Sequence, residues 1–114
     1  GYDISWHHVR HSRANLEYFG IPFPVERADA RSLQGRWDAA VIDLPYGHTS
    51  RADDGLYLDI VGNISRRVKR QAVVTGAPKE ALWQDLGLTI LGLARTRATN
   101  LVRHTYLLAG LDEG

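Results

Sequence analysis

Near the start of the chain, apolar residues recur at the spacing of a helix. Residues 6–19 place four apolar side chains on one face: Trp6, Val9, Leu16 and Phe19. Ser5 stands where an N-cap is expected, and Gly20 stands where a helix commonly ends. The pattern predicts a helix over residues 6–19.

The middle of the chain alternates between short apolar runs and longer amphipathic stretches. Residues 25–29 are short and extended, and the apolar run at 37–43 stops before Pro45. Such a run favours a strand buried on both faces, as in a parallel sheet. A second helix is predicted over 56–67, a strand over 71–75 and a short helix over 79–85.

Two extended segments close the chain, at 89–96 and 101–109, and they are too close together for a crossover helix. They therefore predict an antiparallel hairpin. Together with the alternating strands and helices before them, they indicate a mixed α/β sheet with an antiparallel edge.

Composition narrows the chemistry that this chain can perform. With 114 residues, 44% of them hydrophobic and 24% charged, it is the size of one ordinary globular domain, and we expect it to be cytoplasmic. The absence of cysteine excludes disulfides and thiolate nucleophiles. A net charge of +1 is too balanced for nucleic-acid binding by bulk charge, so any basic surface would be local.

Three predicted strands end in an aspartate: Asp3, Asp29 and Asp43. Ligands of doubly wound sheets gather at the carboxyl ends of strands, where a carboxylate can accept two ribose hydroxyls. Aspartate is also the usual cap of the turn or helix that follows a strand. For any one of these residues alone, capping is the favoured explanation, but aspartates at three successive strand ends favour a ligand site.

The segment Asp43-Leu44-Pro45-Tyr46-Gly47 directly follows the apolar strand. A carboxylate and a carbonyl held by proline can accept hydrogen bonds from a planar exocyclic amine, and tyrosine can stack on a base. A proline turn closed by glycine would need the same residue types. From the residues alone, the base pocket and the simple turn are equally supported.

This segment resembles the Asp/Asn-Pro-Pro-Tyr motif of S-adenosylmethionine-dependent methyltransferases that act on exocyclic amines. Gly1-Tyr2-Asp3-Ile4-Ser5, Ala14-Asn15-Leu16 and Gly20-Ile21 are similar to the tRNA guanosine-N2 methyltransferases, which usually carry an N-terminal THUMP domain, and to the related RNA methylases. Asp29-Ala30-Arg31 and the segment 101–108 extend the resemblance along nearly the whole chain. It implies a Rossmann-like methyltransferase fold, a three-layer sandwich whose mixed sheet of seven strands has the C-terminal hairpin at its far edge.

The resemblance also implies a role for individual residues. Asp3 would bind the ribose hydroxyls of S-adenosylmethionine while Ile4 packs on its adenine. Asp29 would accept a bond from the adenine amino group, with the Ala30 amide at the ring. The amine of the target base would be held by Asp43 and the Leu44 carbonyl. Tyr46 would stack on the ring of the same base, and Pro45 would fix the turn. No metal is required by this chemistry.

Two departures from the family pattern matter. Leu44 stands where many relatives have the first proline, but its carbonyl is unchanged. The family's first strand and glycine-rich loop precede the equivalent of Asp3, so we expect both to be absent from residues 1–114, which would form a partial methyltransferase catalytic domain.

Other signals are weaker. His7 and His11 are one helical turn apart, a spacing that suits a metal but is more typical of a solvated helix face. Two basic groups are candidate phosphate contacts: Arg66, Arg67, Lys69 and Arg70 in one, and Arg95, Arg97, Arg103 and His104 in the other. The first group also suits the dipole at the C-terminal end of a helix, and this explanation is favoured. The second suits a polar edge strand that discourages aggregation equally well. Trp37 and Trp83 are expected to be core or half-buried.

The resulting hypothesis is methyl transfer to N2 of guanosine in RNA, with tRNA as the expected partner and a THUMP domain elsewhere in a longer protein. One alternative is a DNA adenine-N6 or cytosine-N4 methyltransferase, because the motif binds an amine and not a particular base. An alternative of another class is a non-catalytic nucleic-acid-binding or structural remnant, which the missing cofactor loop favours.

Overall fold

The computed structural model describes residues 1–44 and 51–112. The first part of the chain contains β1 (Tyr2–Asp3), α1 (Trp6–Tyr18), β2 (Glu26–Arg27) and β3 (Ala39–Asp43). The second part contains α2 (Arg51–Ser65), β4 (Arg70–Thr75), α3 (Glu80–Asp85), β5 (Ile90–Ala98) and β6 (Leu101–Ala109). The predicted mixed α/β fold and its C-terminal hairpin are confirmed.

The strands of the described residues form two separate ladders. β1 and β2 pair in parallel, while the larger sheet has the order β3-β4-β6-β5. In that sheet β3 and β4 are parallel, and β6 is antiparallel to both β4 and β5. The hairpin therefore folds back so that its second strand, β6, lies beside β4, and β5 forms the far edge.

α1 begins and ends where the sequence predicted. The Ser5 hydroxyl accepts a hydrogen bond from the His8 N–H at 3.4 Å, and Gly20 has a φ of +67° that favours glycine. Its expected apolar face is only partly correct, because Trp6 and Phe19 are 51% and 70% exposed and Val9 alone is buried.

α2 begins at Arg51, five residues before the predicted start at residue 56. Its first residues are Arg-Ala-Asp-Asp-Gly, so the first turn offers no apolar periodicity from which to recognise a helix.

β3 differs most from its prediction. The sequence indicated burial on both faces, but exposed and half-buried residues alternate along the strand, and Val41 is 82% exposed. β3 is hydrogen-bonded to β4 on one side, and in the described residues no ladder joins its other edge to β1. The side chains of Ala39, Val41 and Asp43 share one face of the strand, and their exposure shows that this face is not covered by a core.

The main core lies between one face of the larger sheet and the helices α2 and α3. Its sheet side includes Leu44, Val73, Tyr106 and Leu108, and its helix side includes Tyr57, Val61, Leu82 and Trp83. The Trp83 and Tyr106 rings meet edge to face with centroids 5.7 Å apart. Trp83 is fully buried and Trp37 is half-buried, as the sequence predicted.

Candidate active-site groove

A groove of about 940 Å³ lies between the two ladders of strands. Its lining includes every described residue to which the sequence assigned a site role: Asp3, Ile4, Asp29, Ala30, Asp43 and Leu44. These residues come from three separate strand ends. Pro45 and Tyr46, the remaining predicted site residues, lie outside the described part of the chain.

The walls of the groove are largely apolar. Ala39, Val41 and Ile42 of β3 line one side, and Leu56 and Ile60 of α2 contribute to the lining as well. Polar groups are contributed mainly by the aspartates at the strand ends. A volume within about 300–1,000 Å³, apolar walls and a few placed polar groups are typical of sites for small organic ligands.

Asp3 serves the local structure as well as lining the groove. One carboxylate oxygen accepts the Ser5 N–H at 2.8 Å, at the entrance to α1. The other lies 3.4 Å from Nδ1 of His8, and the Asp3 side chain is 41% exposed. A carboxylate has about four acceptor positions, so these contacts leave Asp3 able to accept further bonds.

Asp29 holds the turn that follows β2. Its carboxylate accepts the Arg31 N–H at 2.9 Å and is paired with the Arg31 guanidinium, with an Nη2–Oδ2 distance of 2.6 Å. The hydrogen bond from the Arg31 side chain, reinforced by that from its backbone N–H, lowers the pKa of Asp29. Asp29 is therefore an anion whose two oxygens already contact Arg31.

Asp43 and Leu44 end β3 in different environments. Asp43 is exposed on the strand face that lines the groove, whereas the Leu44 side chain is 1% exposed and packs in the main core. The Leu44 N–H donates to the Val74 carbonyl at 3.1 Å. Burial of Leu44 thus fixes the start of the segment that carries the predicted amine-binding motif.

Asn63 is an important residue that the sequence did not indicate. Its side chain is buried, and its amide nitrogen donates to the carbonyls of Ala30 and Leu33 at 2.8 and 3.1 Å. Its oxygen accepts a bond from Nε of Arg67 at 3.1 Å. Asn63 therefore fastens the segment after β2 to α2. An asparagine within a helix carries no periodic signal, so only the fold reveals this contact.

Arg31 and His8 were not predicted as partners of the aspartates either. The spacing of Asp29 and Arg31 is that of a turn in which an aspartate caps the residue two positions on, and this spacing was a usable signal. The contact of His8 with Asp3 was also predictable, because His8 is the third residue after the N-cap Ser5 and a helical side chain there points back towards the preceding strand end.

The candidate phosphate contacts are only partly at the surface. Arg66, Lys69, Arg70, Arg95, Arg97 and Arg103 are exposed. Arg67, in contrast, donates to Asn63 and to the Gly35 carbonyl, and His104 is 6% exposed. Including His104 in a phosphate surface was therefore wrong, because His104 lies on the same face of β6 as Tyr106 and Leu108, which are buried in the main core.

His7 and His11 are exposed on α1 with ring centroids 4.2 Å apart. Among residues 1–44 and 51–112, no group of three or more histidine or acidic side chains is placed to hold a metal. Nor does any helix within those ranges have the length and apolar character needed to cross a membrane.

The fold is that of the Rossmann-like methyltransferases. It is similar to the crystal structure of TrmN from Thermus thermophilus, with a TM-score of 0.81 and 18% identity, over 96% of this chain and 35% of that protein. It is also similar to the Pyrococcus abyssi tRNA (uracil-54, C5)-methyltransferase solved with S-adenosyl-L-homocysteine, with a TM-score of 0.74 and 21% identity, over 96% of this chain and 27% of that one.

A match in sequence points to one kind of methyltransferase within this fold. Over 50 residues the chain is 48% identical to the tRNA (guanine(10)-N2)-dimethyltransferase of Methanothermobacter thermautotrophicus, which is 41% of this chain and 15% of that protein. The predicted resemblance to tRNA guanosine-N2 methyltransferases is thereby confirmed. No protein-family model matches the chain. The chain spans between 15% and 35% of the lengths of these three relatives.

Proposed function

We propose that residues 1–114 form part of the catalytic domain of an S-adenosylmethionine-dependent methyltransferase that modifies N2 of guanosine in tRNA. The observation that carries this proposal is the single groove lined by Asp3, Asp29 and Asp43. The 48% identity to a tRNA guanine-N2 methyltransferase supports the choice of target.

The groove fits the cofactor in chemistry and size. Asp3 would accept the ribose hydroxyls, and Ile4, which is 57% exposed, offers an apolar surface for the adenine. Asp29 would accept the adenine amino group beside Arg31, and the Ala30 amide would face the ring. When bound, S-adenosylmethionine supplies a methyl group on a sulfonium, which is a good leaving group.

Asp43 and the Leu44 carbonyl would act on the target amine. The lone pair of an exocyclic amine is delocalised into the base, so the nitrogen is a poor nucleophile while it stays planar. Hydrogen bonds from the amine to a carboxylate and a carbonyl favour a tetrahedral nitrogen and aim its lone pair. Positioning of this kind accelerates transfer without a covalent enzyme intermediate.

The target base must leave its stack, or lie in an unpaired region, to reach such a site. This step costs a few kcal/mol, and stacking on an aromatic ring offsets part of it. Tyr46 is proposed for that contact, and Pro45 for holding the turn. The exposed arginines of the basic groups, such as Arg66 and Arg95, are proposed to contact phosphates of the RNA.

Replacing Asp43 tests the proposal in the protein that carries this chain. We expect Asp43→Ala to lower kcat for methyl transfer to tRNA by at least about 100-fold, because the amine loses its acceptor and its alignment. Asp38→Ala is the matched control, since Asp38 precedes the same strand and its side chain is 99% exposed. Full activity of the Asp43 variant would refute the assignment of the site.

The nature of the nucleic acid is tested separately, because an amine-binding motif is also compatible with DNA adenine-N6 or cytosine-N4 methylation. Tritiated methyl transfer is measured to tRNA and to duplex DNA with the same protein. Labelling of tRNA at guanosine supports the proposal, and labelling confined to DNA would replace it with the alternative.

A non-catalytic remnant is the alternative of another class. Titration calorimetry of this 114-residue chain with S-adenosylmethionine tests this alternative, because the six predicted site residues that line the groove are all present in the chain. Heat of binding that disappears in Asp3→Ala supports a cofactor site. No heat of binding, in this chain and in the protein that carries it, would favour the remnant.

A further inference from the structure

The C-terminal hairpin extends beyond the strand that it lies against. β4 ends at Thr75, which pairs with His104 of β6, whereas β5 and β6 stay paired with each other as far as Ala98 and Leu101. Residues 96–103 therefore project past the end of β4 as a two-stranded ribbon, which we call the overhang. At about 3.4 Å per residue, the part of β6 beyond His104 projects about 10 Å.

The overhang leaves the sheet at the end that carries Asp43. β3 and β4 are parallel, and Asp43 pairs with Val74, one residue before the end of β4. β6 is the second strand from β3, so strands about 4.8 Å apart place it about 10 Å to the side. Thr105 aligns with Val74 and thus shares a face of the sheet with Asp43. Arg103, two residues from Thr105, lies on that same face.

The hairpin is basic in a chain whose charges nearly balance. Residues 86–110 contain Arg95, Arg97 and Arg103 and no aspartate or glutamate, although the chain has 13 acidic residues. Since the whole chain carries +1, removing these three positive charges leaves −2 for the rest of it. All three arginines are exposed. Positive charge is therefore concentrated on the overhang and at its base.

Arginines at this place suit the backbone of a nucleic acid. A guanidinium binds phosphate through two parallel N–H groups, and such contacts position a protein without reading sequence. A base that has left its stack stays joined to a phosphate on each side, so a surface beside its pocket meets the flanking backbone. The first basic group is placed differently, because Arg70 is the first residue of β4 and lies at the opposite end of the sheet.

We infer that the overhang is an RNA-binding arm, which contacts the phosphates next to the target nucleotide through Arg95 and Arg97. The inference rests on the proposed function for the identity of the RNA and of its target, and it assigns the contact to one surface. The competing role for these arginines is to discourage β5, an edge strand, from pairing with another chain. Loss of their charge distinguishes the two roles.

The first experiment measures binding of a fluorescently labelled tRNA transcript to the protein that carries this chain, over a series of salt concentrations. We expect Arg97→Gln to weaken binding about fivefold and to reduce the slope of log Kd against log salt concentration by about 1, because one phosphate contact is lost. The double variant Arg95→Gln/Arg97→Gln should reduce that slope by about 2. Arg97→Lys, which keeps the charge, should restore most of the affinity.

Arg10→Gln is the matched control. Arg10 is exposed on α1, which packs against β1 and β2, so the variant removes the same charge at another place. Its affinity for tRNA and its salt slope should equal those of the wild type. Equal losses in Arg10→Gln and Arg97→Gln would overturn the inference, because they would show an effect of bulk charge. Wild-type binding by the double variant, with self-association in sedimentation, would assign the arginines to protecting the edge strand.

The second experiment measures methyl transfer by the same proteins. The double variant Arg95→Gln/Arg97→Gln should raise KM for tRNA about tenfold, and leave kcat and the affinity for S-adenosylmethionine unchanged, because its lost contacts are away from the reacting atoms. If the wild type binds tRNA but transfers no methyl group, the proposed function fails while the binding series still decides the role of the overhang. A wild-type KM in the double variant would overturn the inference, as would wild-type protein that binds duplex DNA and not tRNA.

Discussion

At the residue scale, two of the strand-end aspartates both cap local backbone structure and line the groove. Asp3 caps the entrance to α1 and Asp29 caps the turn after β2, and each also lines the groove. The sequence left capping and ligand binding as competing explanations. In the folded chain they are compatible, because a carboxylate has enough acceptor positions for both.

The Asp29–Arg31 pair gives a pH-dependent prediction. Since the Arg31 side chain is the largest cause of the lowered pKa of Asp29, we expect Arg31→Ala to move that pKa upward, towards its ordinary value of 3.8. Carboxyl-carbon NMR titrations measure it directly. Arg36→Ala, which removes an arginine paired with Asp112 instead, should leave the titration of Asp29 unchanged.

The sign of the effect on stability follows from the same pair. A folded-state pKa below the unfolded value stabilises the fold above about pH 4, and this contribution is lost as the pH falls through the lower folded-state pKa. The contribution is small because both side chains are partly exposed to water, which screens the pair. Arg31→Ala should therefore reduce stability slightly at neutral pH, and this effect should disappear as the pH falls through the folded-state pKa of Asp29. A pKa of Asp29 that is the same in the variant would show that Arg31 is not its partner in solution.

At the element scale, replacing two glycines by alanine should change the free energy of unfolding in opposite directions. A Cβ at Gly55, which is exposed in α2, would meet no atom within 4 Å, whereas a Cβ at Gly110 would overlap the backbone carbonyl of Val68. We expect Gly55→Ala to raise the free energy of unfolding by about 0.5–1 kcal/mol through helix propensity. Gly110→Ala should lower it by more than about 1 kcal/mol, because strand β6 must shift.

Urea unfolding of the two variants measures both effects. Gly110 N–H donates to the Lys69 carbonyl at 2.7 Å, so the overlap falls where the end of β6 meets the start of β4. A stable Gly110→Ala protein would contradict the packing described for this corner. Loss of stability in Gly55→Ala would show that α2 is not helical there in solution.

The elements also show how much of the fold could be predicted. α1, β4, α3 and the hairpin carried caps, glycine stops or apolar runs, and each was recognised within one or two residues. The start of α2 carried no apolar periodicity, and it was placed five residues late. The exposure of Val41 could not be predicted, because it depends on which other elements pack over that face of β3 and not on the sequence of the strand itself.

At the scale of the whole molecule, the groove is formed by two ladders with few direct links. Near their amino ends, the Tyr2 and Trp37 rings meet with centroids 6.0 Å apart. At the other contact, Asn63 bonds the segment after β2 to α2. The convergence of the three aspartates was predicted from strand ends, but this connection was not, because it joins residues 30 positions apart.

Asn63→Ala tests the connection. We expect a loss of about 1 kcal/mol or more in the free energy of unfolding, because the change leaves the partly buried carbonyls of Ala30 and Leu33 without their donor. Under the proposed function, the affinity for S-adenosylmethionine should fall as well, since Ala30 would be displaced. Chemical denaturation and calorimetry measure the two effects.

Asn15→Ala is the control, because Asn15 is exposed on α1. It should leave both quantities close to wild type. If Asn63→Ala keeps its full stability, the segment after β2 is held by other contacts, and Asn63 is not the link between the two sides of the groove.

The separation of the two ladders has a thermodynamic consequence. A ligand that contacts both sides of the groove can bind only when the two ladders are held against each other, so ligand binding and the association of the two ladders are linked equilibria. By mass action, a ligand at 100 times its dissociation constant would add about 2.7 kcal/mol to the stability of the joined state. The melting temperature of the chain should then rise with ligand concentration, because the ligand itself would hold the two ladders together.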